Sequence, residues 1–284
     1  MTSLQNKMSV ITYKDFIDGT EMKVVNILAI GAHPDDIELG CGGLLIKSAR
    51  SGHNVFMYTL TRGSASGDPV QRTNEQIESA KFIGADMLWI DNFEDTKLSL
   101  NVELINRIEH IIKKAQADVI YTHPLIDTHH DHRAVVEATL EAGRSIPNIL
   151  SYEMPVTKDF KPQIYYDVSD VIDDKIELLS IFSSQGHKMF LTSNATRGLA
   201  QYRALQSRLG PTITSVESFE ALKLGFGTDF QLLTGSNENI SKPKTTEIPL
   251  PNEIIECNYV SEVSYLDSSK CRTKNQITSM LEQQ

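Results

Sequence analysis

An apolar run, Val24 to Ile30 broken only by Asn26, reads as a buried strand that stops at Gly31-Ala32. Further runs rich in β-branched and aromatic residues predict strands over Asn54–Thr61, Met87–Ile90, Asp118–Thr122, Ile149–Glu153 and Ile164–Val168. Between them the periodicity changes to that of helices. These are expected over 40–51, 70–83, Asn101–Ala115, from about Asp131, and over 170–183 and 194–207. In the third helix Ile105, Ile108, Ile111 and Ile112 make an apolar stripe suited to core packing. Alternating strand and helix implies right-handed crossovers, and so an α/β fold with a Rossmann-like, doubly wound, mostly parallel sheet and helices on both faces. Residues 1–23 read as a lead-in, 24–235 as the domain, and 236–284, rich in Ser, Thr, Asn, Glu and Lys, as a polar extension with little core of its own.

Composition narrows the function. The 284 residues suffice for one sizeable core. A formal net charge of -10 disfavours nucleic acid and anionic membrane surfaces, both of which select clustered Lys and Arg. No apolar run approaches the roughly 20 residues of a spanning helix, and the first residues lack the basic start and apolar core of a signal peptide. Cys41, Cys257 and Cys271 form no CxxC or disulfide framework, so the expected location is the reducing cytoplasm.

Chemistry concentrates where two strands end. The first gives way to Gly31-Ala32-His33-Pro34-Asp35-Asp36-Ile37-Glu38-Leu39-Gly40-Cys41-Gly42-Gly43, and a later loop carries His129-His130-Asp131-His132. Ligands bind outside the carboxyl ends of strands in open α/β sheets. His33 and Asp36, three apart at a strand-to-helix turn, can converge on one ion, and His132 from a neighbouring strand end would complete a two-histidine, one-carboxylate set suited to catalytic zinc or to iron(II).

The first segment resembles the AHPDD signature of the PIG-L/LmbE-like family of metal-dependent N-acetylglucosaminyl deacetylases, and the second resembles its H-P-D-H segment. The resemblance covers about residues 24–225. It implies a zinc-dependent hydrolase that removes an N-acetyl (acyl) group from an amino sugar, sugar nucleotide or glycoconjugate by means of a metal-bound water. It makes His33, Asp36 and His132 the metal ligands and Asp35 the general base. It gives His129 as an imidazolium stabilising the oxyanion and Asp131 as the residue orienting that histidine. Arg72, in Arg72-Thr73-Asn74-Glu75, matches an arginine that binds sugar hydroxyls. Relatives assemble into homo-oligomers, which is the expectation here too.

Other readings stand beside these. Turn and N-cap chemistry accounts for His33-Pro34 and Asp35-Asp36 taken alone, an i,i+3 salt bridge with Glu75 accounts for Arg72, and Asp131 can simply cap its helix. Glu38 reads as compensation of the helix N-terminus. His130 replaces the family proline, so His129, His130 and His132 could exchange roles; the H-x-x-H spacing selects His129 and His132. His123 reads as a core or supporting histidine. An iron(II) oxygenase shares the ligand set but usually sits on a β fold. A dinucleotide-binding protein lacks its G-x-G-x-x-G here. A non-catalytic homologue would have lost matched positions that this chain keeps.

Overall fold

The computed structural model describes residues 24–225, 254–258 and 271–272. All but Val24 belong to one compact unit, Val25–Gly225 with Thr245–Gln284; the other unit, Met1–Val24 with Phe226–Lys244, otherwise lies outside the described residues. The chain runs β1 (Asn26–Gly31), α1 (Asp36–Arg50), β2 (Asn54–Thr61), α2 (Pro69–Ile83), β3 (Met87–Phe93), α3 (Val102–Ala115), β4 (Val119–Thr122), α4 (His130–Ala142), β5 (Asn148–Tyr152) and β6 (Ile164–Asp167). It continues through α5 (Ile172–Ser180), two single turns at Ser183–Gln185 and Met189–Leu191, α6 (Ser193–Ser207), β7 (Val216–Leu224), β8 (Ile255–Asn258) and β9 (Cys271–Arg272).

One sheet orders these strands β6-β7-β5-β4-β1-β2-β3-β8-β9. Its centre, β5-β4-β1-β2-β3, is parallel, and the strands added at both edges are antiparallel. Both faces of the centre are covered, which is why its strands read as nearly continuous apolar runs. Strand alternation splits the core into two layers. Ile27, Ala29, Val55, Met57 and Leu88 pack against α1, α2 and α5. Leu28, Ile30, Tyr58, Trp89 and Ile120 pack against α3 and α4. Leu104, Ile108, Ile111 and Ile112 give α3 its buried stripe, with Ile105 at its margin. No helix among the described residues is long and apolar enough to cross a membrane.

Three differences from the sequence pattern matter. First, α1 begins at Asp36 and not near residue 40, and is broken at Cys41 (φ -142°, ψ 20°). Gly40 is needed for close approach, because a Cβ there would lie 2.2 Å from the Tyr152 ring. Second, β7 went unpredicted, since Glu217, Ser218 and Glu220 interrupt its apolar pattern. Third, within the extension expected to lack a core, β8 pairs with β3 and buries Ile254, Ile255 and Cys257. Cys257 is also disulfide-bonded, contrary to the expectation of unpaired thiols. Its cross-strand backbone partner is Cys271, a neighbour created by the β8–β9 pairing and not by spacing. Cys41 is free and buried.

Candidate active site

The chain leaves β1 for β2 and β3 on one side and returns as β4 and β5 on the other, so a topological switch point lies between β1 and β4. Both motifs sit on the carboxyl ends of these strands. The turn after β1 is tied to its neighbours: Ala32 donates its amide to His123 Nε2 (3.0 Å), and its carbonyl accepts from Thr61 N and Oγ1 (both 2.9 Å). His33 N donates to Asp36 Oδ2 at 2.7 Å. Asp35 precedes the helix at φ 94°, in the left-handed region, and its side chain makes no capping bond. A non-glycine residue held there is strained by about 1–3 kcal/mol, a feature that clusters at functional sites.

Asp36 lies between the two motif histidines. Its Oδ2 is 3.2 Å from His33 Nδ1 and its Oδ1 is 3.4 Å from His132 Nε2. The outer nitrogens also face carboxylates. His33 Nε2 lies 3.0 Å from both Asp131 and Asp95, and His132 Nδ1 lies 3.1 Å from Asp127. Donor atoms of His33, Asp36 and His132 all fall within 4.8 Å of one another. Burial pushes both imidazoles down, but the acids around them prevail. Asp131, Asp36 and Asp95 hold His33 well above its usual value, and Asp36 and Asp127 hold His132 at about 9. Burial alone would raise Asp36; His132 and His123 bring it well below the carboxylate range. The cluster thus has an excess of anionic oxygen around two nitrogen donors. That donor set fits a divalent metal ion.

The remaining predicted residues surround this core. Asp35 is buried at 3% exposure, pushed up to about 6 by burial and by Asp36 against the opposing pull of Arg72, Lys188 and His33. Arg72 is also buried. It donates to Pro34 O (2.6 Å), Asp35 Oδ2 (3.2 Å), Gly63 O (3.0 Å) and Ser66 Oγ. It does not pair with Glu75, which instead accepts from Ser183 and Ser184. His129 caps α4, its Nδ1 accepting from Asp131 N at 3.2 Å. Burial, His132 and His33 push its pKa down. The Asp131 carboxylate accepts from Thr96 N (2.8 Å) and Leu98 N (3.0 Å) and faces His33 and His130; it meets His129 through its backbone amide. His130 points away from the metal-type cluster, to Thr96 O at 2.6 Å, with half its side chain exposed. His123 is fully buried, stacked on His132 with ring centroids 3.9 Å apart, and pushed down to about 4 by burial and by His132.

A cavity of about 290 Å³ opens onto the cluster, with Asp35, Arg72, Asp95 and His129 on its polar side and Met154, Val156 and Phe190 on its apolar side. Lys188 lines it too, 3.8 Å from Asp35. Asp95, Asp127 and Lys188 escaped the sequence reading. Asp127 alone left a signal, an acid two residues before the histidine motif.

A family model described as PIG-L, GlcNAc-PI de-N-acetylase, matches residues 28–143. An uncharacterized deacetylase of Escherichia coli (strain K12), YaiS, is 40% identical over 152 residues, 51% of this chain and 82% of that protein. The chain belongs to the PIG-L family. As a PIG-L member it is an N-deacetylase, an enzyme hydrolysing an amide bond. A diacetylchitobiose deacetylase of Thermococcus kodakarensis is 28% identical over 190 residues, 57% of this chain and 70% of that one. The PIG-L fold extends to the solved structure of the conserved protein TT1542 from Thermus thermophilus. That match has a TM-score of 0.64 at 22% identity and covers 72% of this chain and 98% of that one.

Proposed function

We propose that the chain is a zinc-dependent N-deacetylase of a small N-acetylated amino sugar, with His33, Asp36 and His132 as the metal ligands. The observation that carries this reading is the placement of Asp36 between His33 Nδ1 and His132 Nε2 at the mouth of a cavity that Asp35 also lines. When bound, zinc supplies an acidified water and a positive charge for the carbonyl oxygen. Asp35 takes the proton from the attacking water and returns it to the leaving amine. Arg72, 3.2 Å away and anchored on Pro34 and Gly63, keeps that carboxylate oriented and favours its ionised form. With Nδ1 of His129 accepting from the Asp131 amide and its pKa pushed down by burial, His132 and His33, the ring is neutral in place of the imidazolium that the resemblance implied, and it carries its proton on Nε2, a donor for the developing oxyanion. Asp131 acts on His33 through its carboxylate and on His129 through its backbone.

The four terminal N–H groups of Arg72 are already engaged and its buried Nε–H is unpaired among the described residues, so contact with a sugar hydroxyl either uses Nε–H or exchanges one of those partners. A cavity near 290 Å³ lies at the small end of ligand sites and suits one sugar ring with its acetyl group. Iron(II) fits the same donors. The cytoplasmic placement rested on unpaired cysteines, and the Cys257 disulfide removes that ground.

The test is metal content of protein purified without chelator, with acetate release from N,N'-diacetylchitobiose and N-acetylglucosamine measured in parallel. The wild type is expected to hold about one equivalent, and His33→Ala to lose it. Asp35→Asn keeps the metal and loses turnover by about 100-fold or more. No metal in the wild type after zinc is added back, or normal turnover in Asp35→Asn, overturns the reading.

A further inference from the structure

We infer that Asp127, on the loop between β4 and α4, is a positioning residue that fixes which nitrogen His132 offers to a metal. This rests on His132 being a ligand, as proposed above.

An imidazole binds a cation through one lone pair, and the hydrogen bond made by its other nitrogen selects which one. His132 reaches Asp36 with Nε2 (3.4 Å) and Asp127 with Nδ1 (3.1 Å). Asp127 is not free to move. Its Oδ1 accepts from His129 N at 2.8 Å and its Oδ2 from Thr157 Oγ1 at 3.1 Å. Its backbone carbonyl accepts from Arg133 at 2.6 Å. The carboxylate is therefore an anchored anion 3.1 Å from Nδ1, close enough to hold the proton there by its charge although the pair lacks the angle of a full hydrogen bond, and this leaves the Nε2 lone pair facing Asp36. His33 is arranged in the opposite sense, with Nδ1 toward Asp36 and Nε2 toward Asp95 and Asp131. The two rings differ in one respect. His33 has two outer carboxylates, whereas His132 has Asp127 alone among the described residues.

An asparagine at 127 reverses the polarity of this contact. Its carbonyl oxygen is claimed by His129 N, so its NH₂ faces His132 and Nδ1 must accept. The proton then moves to Nε2, the nitrogen that a metal needs. Asp95→Asn lacks this effect, because Asp131 still holds His33.

The experiment is zinc affinity of the full chain, stripped and then titrated against a chromophoric chelator. Asp127→Asn is expected to bind zinc 10- to 100-fold more weakly than the wild type, and Asp95→Asn to stay within about 3-fold. The ¹⁵N shifts of the His132 ring in the zinc-loaded wild type are expected to show a protonated Nδ1. A merely structural loop residue would leave both readouts unmoved once the variant is folded. Wild-type affinity in Asp127→Asn, or a protonated Nε2 in the wild type, overturns the inference. The second measurement needs no variant, so it decides the matter if Asp127→Asn does not fold. A wild type that takes up no zinc overturns the underlying site assignment instead.

Discussion

Glu38 shows how one residue changes meaning between chain and fold. In the sequence it stands at the start of a helix, where an acid offsets the helix dipole. In the structure it is fully buried between α1 and α2, its Oε1 accepting from Gln76 Nε2 at 2.6 Å and from Ser79 Oγ, while Oε2 has no hydrogen-bond partner among the described residues. Burial pushes its carboxyl up to about 7, against the pull of Ser79 and Gln76. The folded state therefore binds this proton more tightly than the unfolded chain. Its contribution to stability is full below about pH 4.5 and is lost as pH rises through about 7, a change of about 3 kcal/mol. Glu38→Gln cannot ionise and escapes that loss. In urea unfolding of the chelator-treated protein, the variant is expected to gain on the wild type from pH 5 to about pH 7 and to level off above that. A pH-independent difference would contradict the buried carboxyl. His33, Asp35, Asp36 and His132 were legible as candidates because a compact motif carries them. Asp95 and Asp127 were not, because an isolated acid acquires its role only from the ring it faces.

Among the elements, α1 depends most on its surroundings. Its break at Cys41 leaves a carbonyl and two amides without helical partners inside the protein, and a buried ion pair supplies them. Lys175 of α5 donates to Leu39 O (2.7 Å), and Glu217 of β7 accepts from Gly43 N (2.8 Å) and Leu44 N (2.7 Å), with Lys175 and Glu217 2.6 Å apart. Removing one member of such a pair strands the other charge. Lys175→Met should cost roughly 3–5 kcal/mol of unfolding free energy. Lys47→Ala, which breaks the more exposed pair with Asp170, should cost less than about 1 kcal/mol. Denaturant melts of the two variants check the contrast, and similar costs would mean that the clamp is dispensable. Periodicity found α1 but not its first turn or its break; the groups that satisfy the break lie more than 130 residues away in sequence.

For the whole molecule, the edge of the sheet beyond β3 is decided by a segment that composition marked as a tail. β8 covers that edge, with Ile90 opposite Ile255 and Trp89 opposite Glu256. The Trp89 indole donates to Glu256 (3.4 Å), which also pairs with Lys114 (2.8 Å). An uncovered β3 would present unpaired backbone groups, a template for aggregation. Ile255→Asp, placing a charge at a 7% exposed position, is expected to lower stability by roughly 3 kcal/mol or more and to promote aggregation on heating. Leu224→Asp, at a 42% exposed position, should change it by less than about 1 kcal/mol. Thermal melts with light scattering decide between them.

The sequence by itself determined the parallel centre of the sheet, because strands buried on both faces and helices buried on one leave periodic traces in adjacent residues. It also determined the two metal-type segments, because short-range spacing at a strand end places their donors. Only the tertiary structure decided the antiparallel edges, the disulfide-bonded state of Cys257, the clamp across Cys41 and the carboxylates behind each histidine. Those features are contacts between residues far apart in the chain, and local periodicity carries no record of which distant groups the fold will bring within about 3 Å of one another.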